Sequence, residues 1–161
     1  MIDRKSGRGR ELVLVDGLSP AEVVLVHREA LRVLRSGLDT AHLDAYSDAP
    51  WPPEVLPWYE RALSLAREEM EHGSRSPRAD PGMGIDIDVR DDEQFEVLVR
   101  LAPYTIGAEG WRGNRLVFSA SDSGTALWTA VTPEQEAELL SRLDALGIPP
   151  TALAARPARG R

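Results

Sequence analysis

The chain has 161 residues, a formal net charge of −7, 42% apolar residues and no cysteine. That length buries one sizeable core as a single domain, and the missing thiols exclude a disulfide framework, a cysteine nucleophile and a thiolate metal site. No apolar run approaches the roughly 18 residues of a membrane span, and Leu12-Val13-Leu14-Val15 is too short for a signal-peptide core. The expectation is a cytoplasmic protein with no membrane partner.

Charge is unevenly placed. Residues 1–10 hold Arg4, Lys5, Arg8 and Arg10 against Asp3, and Arg156, Arg159 and Arg161 close the chain. The stretch between is therefore more acidic than the whole, which disfavours nucleic acid and favours basic partners. Residues 1–10 and 151–161 read as disordered basic tails flanking one domain over 11–150, with a nucleic-acid arm as the competing reading of the tails.

In chain order, Glu11 to Asp16 reads as a short strand. Leu18-Ser19-Pro20-Ala21-Glu22-Val23 is a helix start: Ser19 caps, Pro20 takes the first turn and Glu22 completes a capping box. That helix is expected to stop at Gly37 with a Schellman contact between Val33 and Leu38, and its apolar arc contains His27. Residues 38–56, with Pro50, Pro52 and Pro53, read as a connector. A second helix runs from about Pro53 or Pro57 to Glu71, and Gly73 to Gly84 reads as a mobile loop and hinge.

Ile85, Ile87 and Val89 alternate with Asp86 and Asp88, and Phe95, Val97, Val99 and Leu101 alternate with Glu96, Leu98 and Arg100. Period two predicts a hairpin turning at Asp91-Asp92-Glu93, with Val89 paired to Phe95 and Asp88 opposite Glu96. Residues 102–114 form a glycine-bearing connection to a second hairpin, Arg115 to Val131, turning at Ser121-Asp122-Ser123-Gly124 with Phe118 opposite Trp128. Thr132-Pro133-Glu134-Gln135 opens a last helix that ends in a Schellman stop at Gly147. The order β-α-α-β-β-β-β-α gives an α+β class: a mostly antiparallel sheet of four to five strands with three helices on one face.

Chemistry is sparsely signalled. His27 reads as a packed core histidine, His42 with Asp44 as a weak metal-like spacing, and His72 as a cation at a helix C-terminus. No nucleophile motif, phosphate loop or metal motif is present, so no catalytic residue, cofactor or metal is assigned. An opposed Asp88 and Glu96, with Asp86 beside them, would need positive compensation: Arg90 and Arg100 on the same face, a cation, or a basic partner protein. Trp111 beside Arg112 is the residue pair most enriched at binding hot spots, against a reading in which Trp111 folds over the sheet edge.

The function that follows is a non-catalytic accessory, regulatory or immunity-type protein. Its acidic surface engages a basic protein partner through Asp86, Asp88, Glu96, Trp111 and Arg112. The alternatives are an enzyme or small-ligand binder with a pocket between helices and sheet involving His27 or Tyr104, and a homodimeric component burying Val117, Leu127 and Val131.

Overall fold

Buried and open positions alternate along most of the strands, and four helices cover the buried row of a single sheet. The computed structural model describes residues 9–76, 78 and 80–156. The elements are β1 (Arg10–Leu14), α1 (Pro20–Leu34), β2 (Thr40–Leu43), α2 (Leu56–Glu71), β3 (Ile85–Ile87), α3 (Asp92–Leu101), β4 (Gly107–Arg112), β5 (Arg115–Ser121), β6 (Ala126–Val131), α4 (Pro133–Ala145) and β7 (Leu153–Ala155). The strands lie in the order β3-β2-β4-β5-β6-β1-β7, and every neighbouring pair is antiparallel. The α+β class and antiparallel sheet agree with expectation, but there are seven strands rather than four or five and four helices rather than three. No helix is long and apolar enough to cross a membrane among the described residues.

One row of side chains is buried under the helices: Leu12, Ala41, Leu43, Ile85, Ile87, Ala108, Phe118, Ala120, Leu127 and Val131. The helices pack side by side above it, α4 against α1, α1 against α3 and α3 against α2, with α4 and α1 over β6 and α2 and α3 over β3. Positions of the other parity are half-buried or exposed, among them His42, Asp86, Glu109, Trp111, Ser119 and Trp128. A sheet covered on both faces would bury both rows, so this one is open on its second face.

The caps are as expected. Ser19 accepts from the Glu22 amide while Glu22 accepts from the Ser19 amide, and Thr132 and Gln135 repeat the box on α4. At the far end of α4, Gly147 has φ +76°, Ile148 N–H donates to the Leu143 carbonyl and Gly147 N–H to that of Asp144, a complete Schellman motif. Gly37 does not repeat it: the chain tightens into a 3-10 turn over Arg35–Gly37 and Leu38 N–H donates to the Arg35 carbonyl.

The expected first hairpin is replaced by a strand and a helix. Asp91 caps α3 by accepting from the Gln94 amide at 2.9 Å, and Asp92 and Glu93 occupy its first turn, where the helix dipole favours anions. Phe95, Val97, Leu98, Val99 and Leu101 are all buried. Phe95, Val97, Val99 and Leu101 satisfy period two, yet as a helix the segment is amphipathic, with Asp92, Glu93, Glu96 and Arg100 on its more open side, so both periods fit these ten residues. Val89 therefore cannot pair with Phe95, nor Asp88 with Glu96.

The second hairpin forms one residue out of the expected register. Ser121 pairs with Ala126, Ala120 with Leu127, Ser119 with Trp128 and Phe118 with Thr129. The turn between them carries three successive left-handed residues: Asp122, Ser123 and Gly124 at φ +54°, +55° and +97°. Gly124 is pressed against the Pro103 carbonyl, where no Cβ would fit. A one-residue shift exchanges the faces, so Leu127, Thr129 and Val131 join the core while Trp128 stands on the open side. Thr129 is buried with its hydroxyl donating to the Val117 carbonyl at 2.9 Å. Val117, Leu127 and Val131 are thus covered within the chain.

Two strands lie in segments expected as connectors. β2 falls within 38–56 and β4 within 102–114, with Gly110 beneath Leu38 and Phe118. The ordered chain also continues past residue 150, because β7 pairs with β1 and Arg156 N–H donates to the Glu11 carbonyl. Arg10, expected in a tail, opens β1 and ion-pairs Glu136 of α4 at 2.6 Å. Residues 1–8 and 157–161, the remainder of the expected tails, lie outside the described residues. The expected hinge between Gly73 and Gly84 wraps a buried Arg75, which pairs with Glu69 at 2.7 Å and donates to the carbonyls of Asp80, Met83 and Gly84.

The observed register predicts that Phe118→Ala destabilises the protein by roughly 3–5 kcal/mol, the range for a fully buried aromatic. Trp128→Ala, on the half-open face, destabilises it by distinctly less. Urea denaturation of the two variants tests this, and equal losses would contradict the register.

Candidate functional site

The open sheet face carries aliphatic and aromatic side chains between acids. Toward one edge, Val13 opposes Trp128, whose indole N–H donates to Glu11 at 3.0 Å. Toward the other, His42 of β2 stands in register with Asp86 of β3 and Glu109 of β4, and its Nδ1 lies 2.8 Å from Asp86 Oδ1. Trp111 follows on β4, half-buried, opposite Thr40 and Leu116. A bulge between β4 and β5 beside Gly110 lets Trp111 and Leu116 share the open face.

Here the sheet is hollowed into a depression of about 330 Å³ lined by His42, Asp44, Gly84, Gly107, Glu109 and Trp111. Its shape follows from the residues beneath it. Thr105 is fully buried, and its hydroxyl donates to the Asp44 carbonyl and accepts from the Gly107 amide at 3.1 Å. Asp44 N–H donates to the Gly107 carbonyl at 2.9 Å, and Asp44 Oδ1 accepts from the Gly84 amide at 2.7 Å. The Asp44 carboxylate is thereby held over Gly107, and any Cβ at that position would collide with it. Glycine keeps the floor of the depression at backbone level.

Chemically, the depression offers the Asp44 and Glu109 carboxylates and one indole. Glu109 is exposed and has no hydrogen-bond partner among the described residues. An indole face and carboxylates around a small hollow favour a cationic side chain, through cation–π attraction and charge-assisted hydrogen bonds. Among the described residues, no three His, Cys, Asp or Glu side chains are grouped to hold a metal ion.

Of the residues expected to bind a partner, Asp86 and Trp111 lie on this face, whereas Asp88, Glu96 and Arg112 do not. Asp88 sits in the turn before α3, its backbone N–H donating to Gln94 Oε1 and its carboxylate accepting from the Arg90 amide. Glu96 belongs to the helical layer, clamped between Arg32 at 2.7 Å and Arg100 at 3.1 Å. Burial opposes its ionisation, but those two guanidiniums prevail and hold its carboxyl below the usual range. Asp92 and Glu93 pair with Arg35 and Arg61. Arg112 closes β4 opposite Arg115 and lines a separate recess with Leu34 and Gly37 on the helical side. Asp44, His42 and Glu109 were not expected to meet at a binding site. The signal available was the His42-x-Asp44 spacing, whose meaning depends on β4 lying beside it.

His27 belongs to the core. It is fully buried, Nδ1–H donates to the Val23 carbonyl at 2.7 Å, and Nε2 has no partner among the described residues. Burial pushes its pKa down to about 4, against the raising effect of the Val23 bond. An apolar groove of about 480 Å³, lined in part by Leu14, Leu18, Val24, Tyr104 and Thr125, lies at one end of the sheet without His27 in its wall. Comparison with known proteins matched no family model, no curated protein and no solved structure.

The buried histidine generates a pH dependence of defined sign. Its folded pKa is depressed, so the unfolded chain binds its proton first as acid is added. The stability that neutral His27 confers is complete above pH 6.5 and falls as pH drops toward about 4. That loss is on the order of 3 kcal/mol. His27→Met removes this component. Urea unfolding at pH 7 and pH 4.5 checks it, and an identical drop in parent and variant would refute it.

Proposed function

We propose that this protein is a non-catalytic binding module that engages a basic protein partner through the open face of its sheet. The observation that carries this reading is the depression at Trp111, where the oriented Asp44 and exposed Glu109 carboxylates flank an indole above the glycine floor. A Lys or Arg side chain of the partner enters it, stacking on Trp111 with its charge between the two acids. Asp86 and Glu11 extend the same sign of charge across the face, and the chain's net charge of −7 steers a basic partner toward it.

The remaining surface of that face supports the same role. Val13, Leu116 and Trp128 are half-buried beside the acids, so a partner laid across the strands meets apolar area inside an acidic rim. Interfaces of this composition take their affinity from a few anchored aromatics and their on-rate from charge. Asp88, Glu96 and Arg112, placed elsewhere, are left out of the interface.

An oligo-arginine peptide serves as the probe in isothermal titration calorimetry. Binding is expected at low salt and weakens as salt rises. Trp111→Ala weakens it by roughly 30-fold, equivalent to about 2 kcal/mol at a hot spot. Asp44→Asn and Glu109→Gln each weaken it too, with a deficit that shrinks at high salt. Binding unchanged in all three variants would remove this face from the function.

A further inference from the structure

We infer that the helical layer, on the side away from the open sheet face, carries an oxyanion site in which Arg28, Arg32 and Arg100 receive a phosphate group. Arg28 and Arg32 stand one turn apart on α1, and Glu96 and Arg100 stand one turn apart on the neighbouring α3. Glu96 spends one carboxylate oxygen on Arg32 and the other on Arg100. Two guanidiniums thus share this carboxylate and Arg28 beside them has none among the described residues, which leaves two positive charges in excess within an acidic protein.

Arg28 bears the consequence. Its one polar contact among the described residues is a long 3.4 Å bond from Nη2 to the Arg100 carbonyl, and its Nε is buried without a partner. Burial lowers its pKa, the charges of Arg100 and Arg32 lower it further, and Tyr104 and Glu96 oppose the shift. A guanidinium stays protonated across the physiological range, so the folded chain holds an under-compensated cation that an incoming anion would stabilise.

The geometry favours phosphate over a single carboxylate. Two excess charges match a dianion, and planar guanidinium forks present paired N–H donors to phosphate oxygens. Arg100 is held in place by Trp58, with its guanidinium carbon 5.8 Å from the ring centroid. Its Nε is committed to Glu96, and its terminal nitrogens remain to receive the ligand.

The test compares melting temperature and amide NMR spectra of the full chain in inorganic phosphate and in chloride at matched ionic strength. Phosphate should raise the melting temperature and shift resonances around Arg28, Arg32 and Arg100. Arg28→Gln should melt at or above the parent in chloride, because a like-charge contact is gone, and bind phosphate about tenfold or more weakly. Arg100→Lys keeps the charge without the fork and should lose part of the response, whereas Arg78→Gln, in an exposed loop, should keep all of it. O-phosphoserine in place of phosphate distinguishes a phosphoryl group on a larger molecule from the free anion, since tighter binding of the ester identifies the former. The proposal is overturned if neither phosphate nor O-phosphoserine acts differently from chloride, or if Arg28→Gln responds as fully as the parent. Because the site and the Trp111 depression lie on opposite layers, the oligo-arginine titration reports on one and phosphate on the other.

Discussion

Each strand presents one row of side chains to the helices and the next row to solvent, and with a side-chain period of two, a slip of one residue would exchange the rows. The fold depends on that assignment being correct in seven strands at once. Phe118, Leu127 and Val131 anchor it on the covered side, since all are buried and a one-residue slip would put Phe118 and the Leu127–Val131 pair on opposite faces. The Asp122–Gly124 turn enforces the same choice from outside the ladder, with Gly124 seated against the Pro103 carbonyl after α3. Two residues other than glycine with positive φ are the local cost of this setting, on the order of 1–3 kcal/mol each, and the core contacts offset it.

Several features that depend on nearest neighbours were legible in the sequence, although the stop expected at Gly37 forms as a 3-10 turn instead. Ser19 with Glu22, Thr132 with Gln135, and Gly147 with Ile148 satisfy orphan amides or carbonyls within one turn of chain, so local spelling suffices. Whatever depended on distant surfaces was not. Phe95 to Leu101 fits the period of a strand as well as that of a helix, and only the packing of α1 and α2 against α3 decides between them. β4 was hidden by Gly107 and Gly110, residues that weaken any strand signal and are required here because Asp44 and Leu38 come too close for a side chain. The hairpin register was lost at Asp122 and Ser123, whose left-handed geometry is imposed by tertiary contact.

The candidate site shows the same division. Trp111 and Asp86 drew attention by residue type, and both stand on the open face. Asp88 and Glu96 were singled out for an electrostatic conflict that the chain never makes, because helix α3 carries Glu96 to two arginines instead. Asp44 and Glu109 line one depression only when β2 and β4 pair, and the buried Thr105 hydroxyl then ties Asp44 to Gly107 from below.

Strand β1 lies between β6 and β7, so the first strand of the chain is completed only by two of its last elements. Arg10 meets Val131, and Leu14 meets Leu153. During synthesis β1 waits without a hydrogen-bonded neighbour in this sheet until β6 and β7 have followed it. Its Leu12-Val13-Leu14 core is then an unpaired apolar strand, the kind of edge on which chains associate wrongly. Closing such distant contacts also slows folding relative to local hairpins. The sequence separation that makes β1 an interior strand in the finished sheet is also what leaves it an open edge before β6 and β7 arrive.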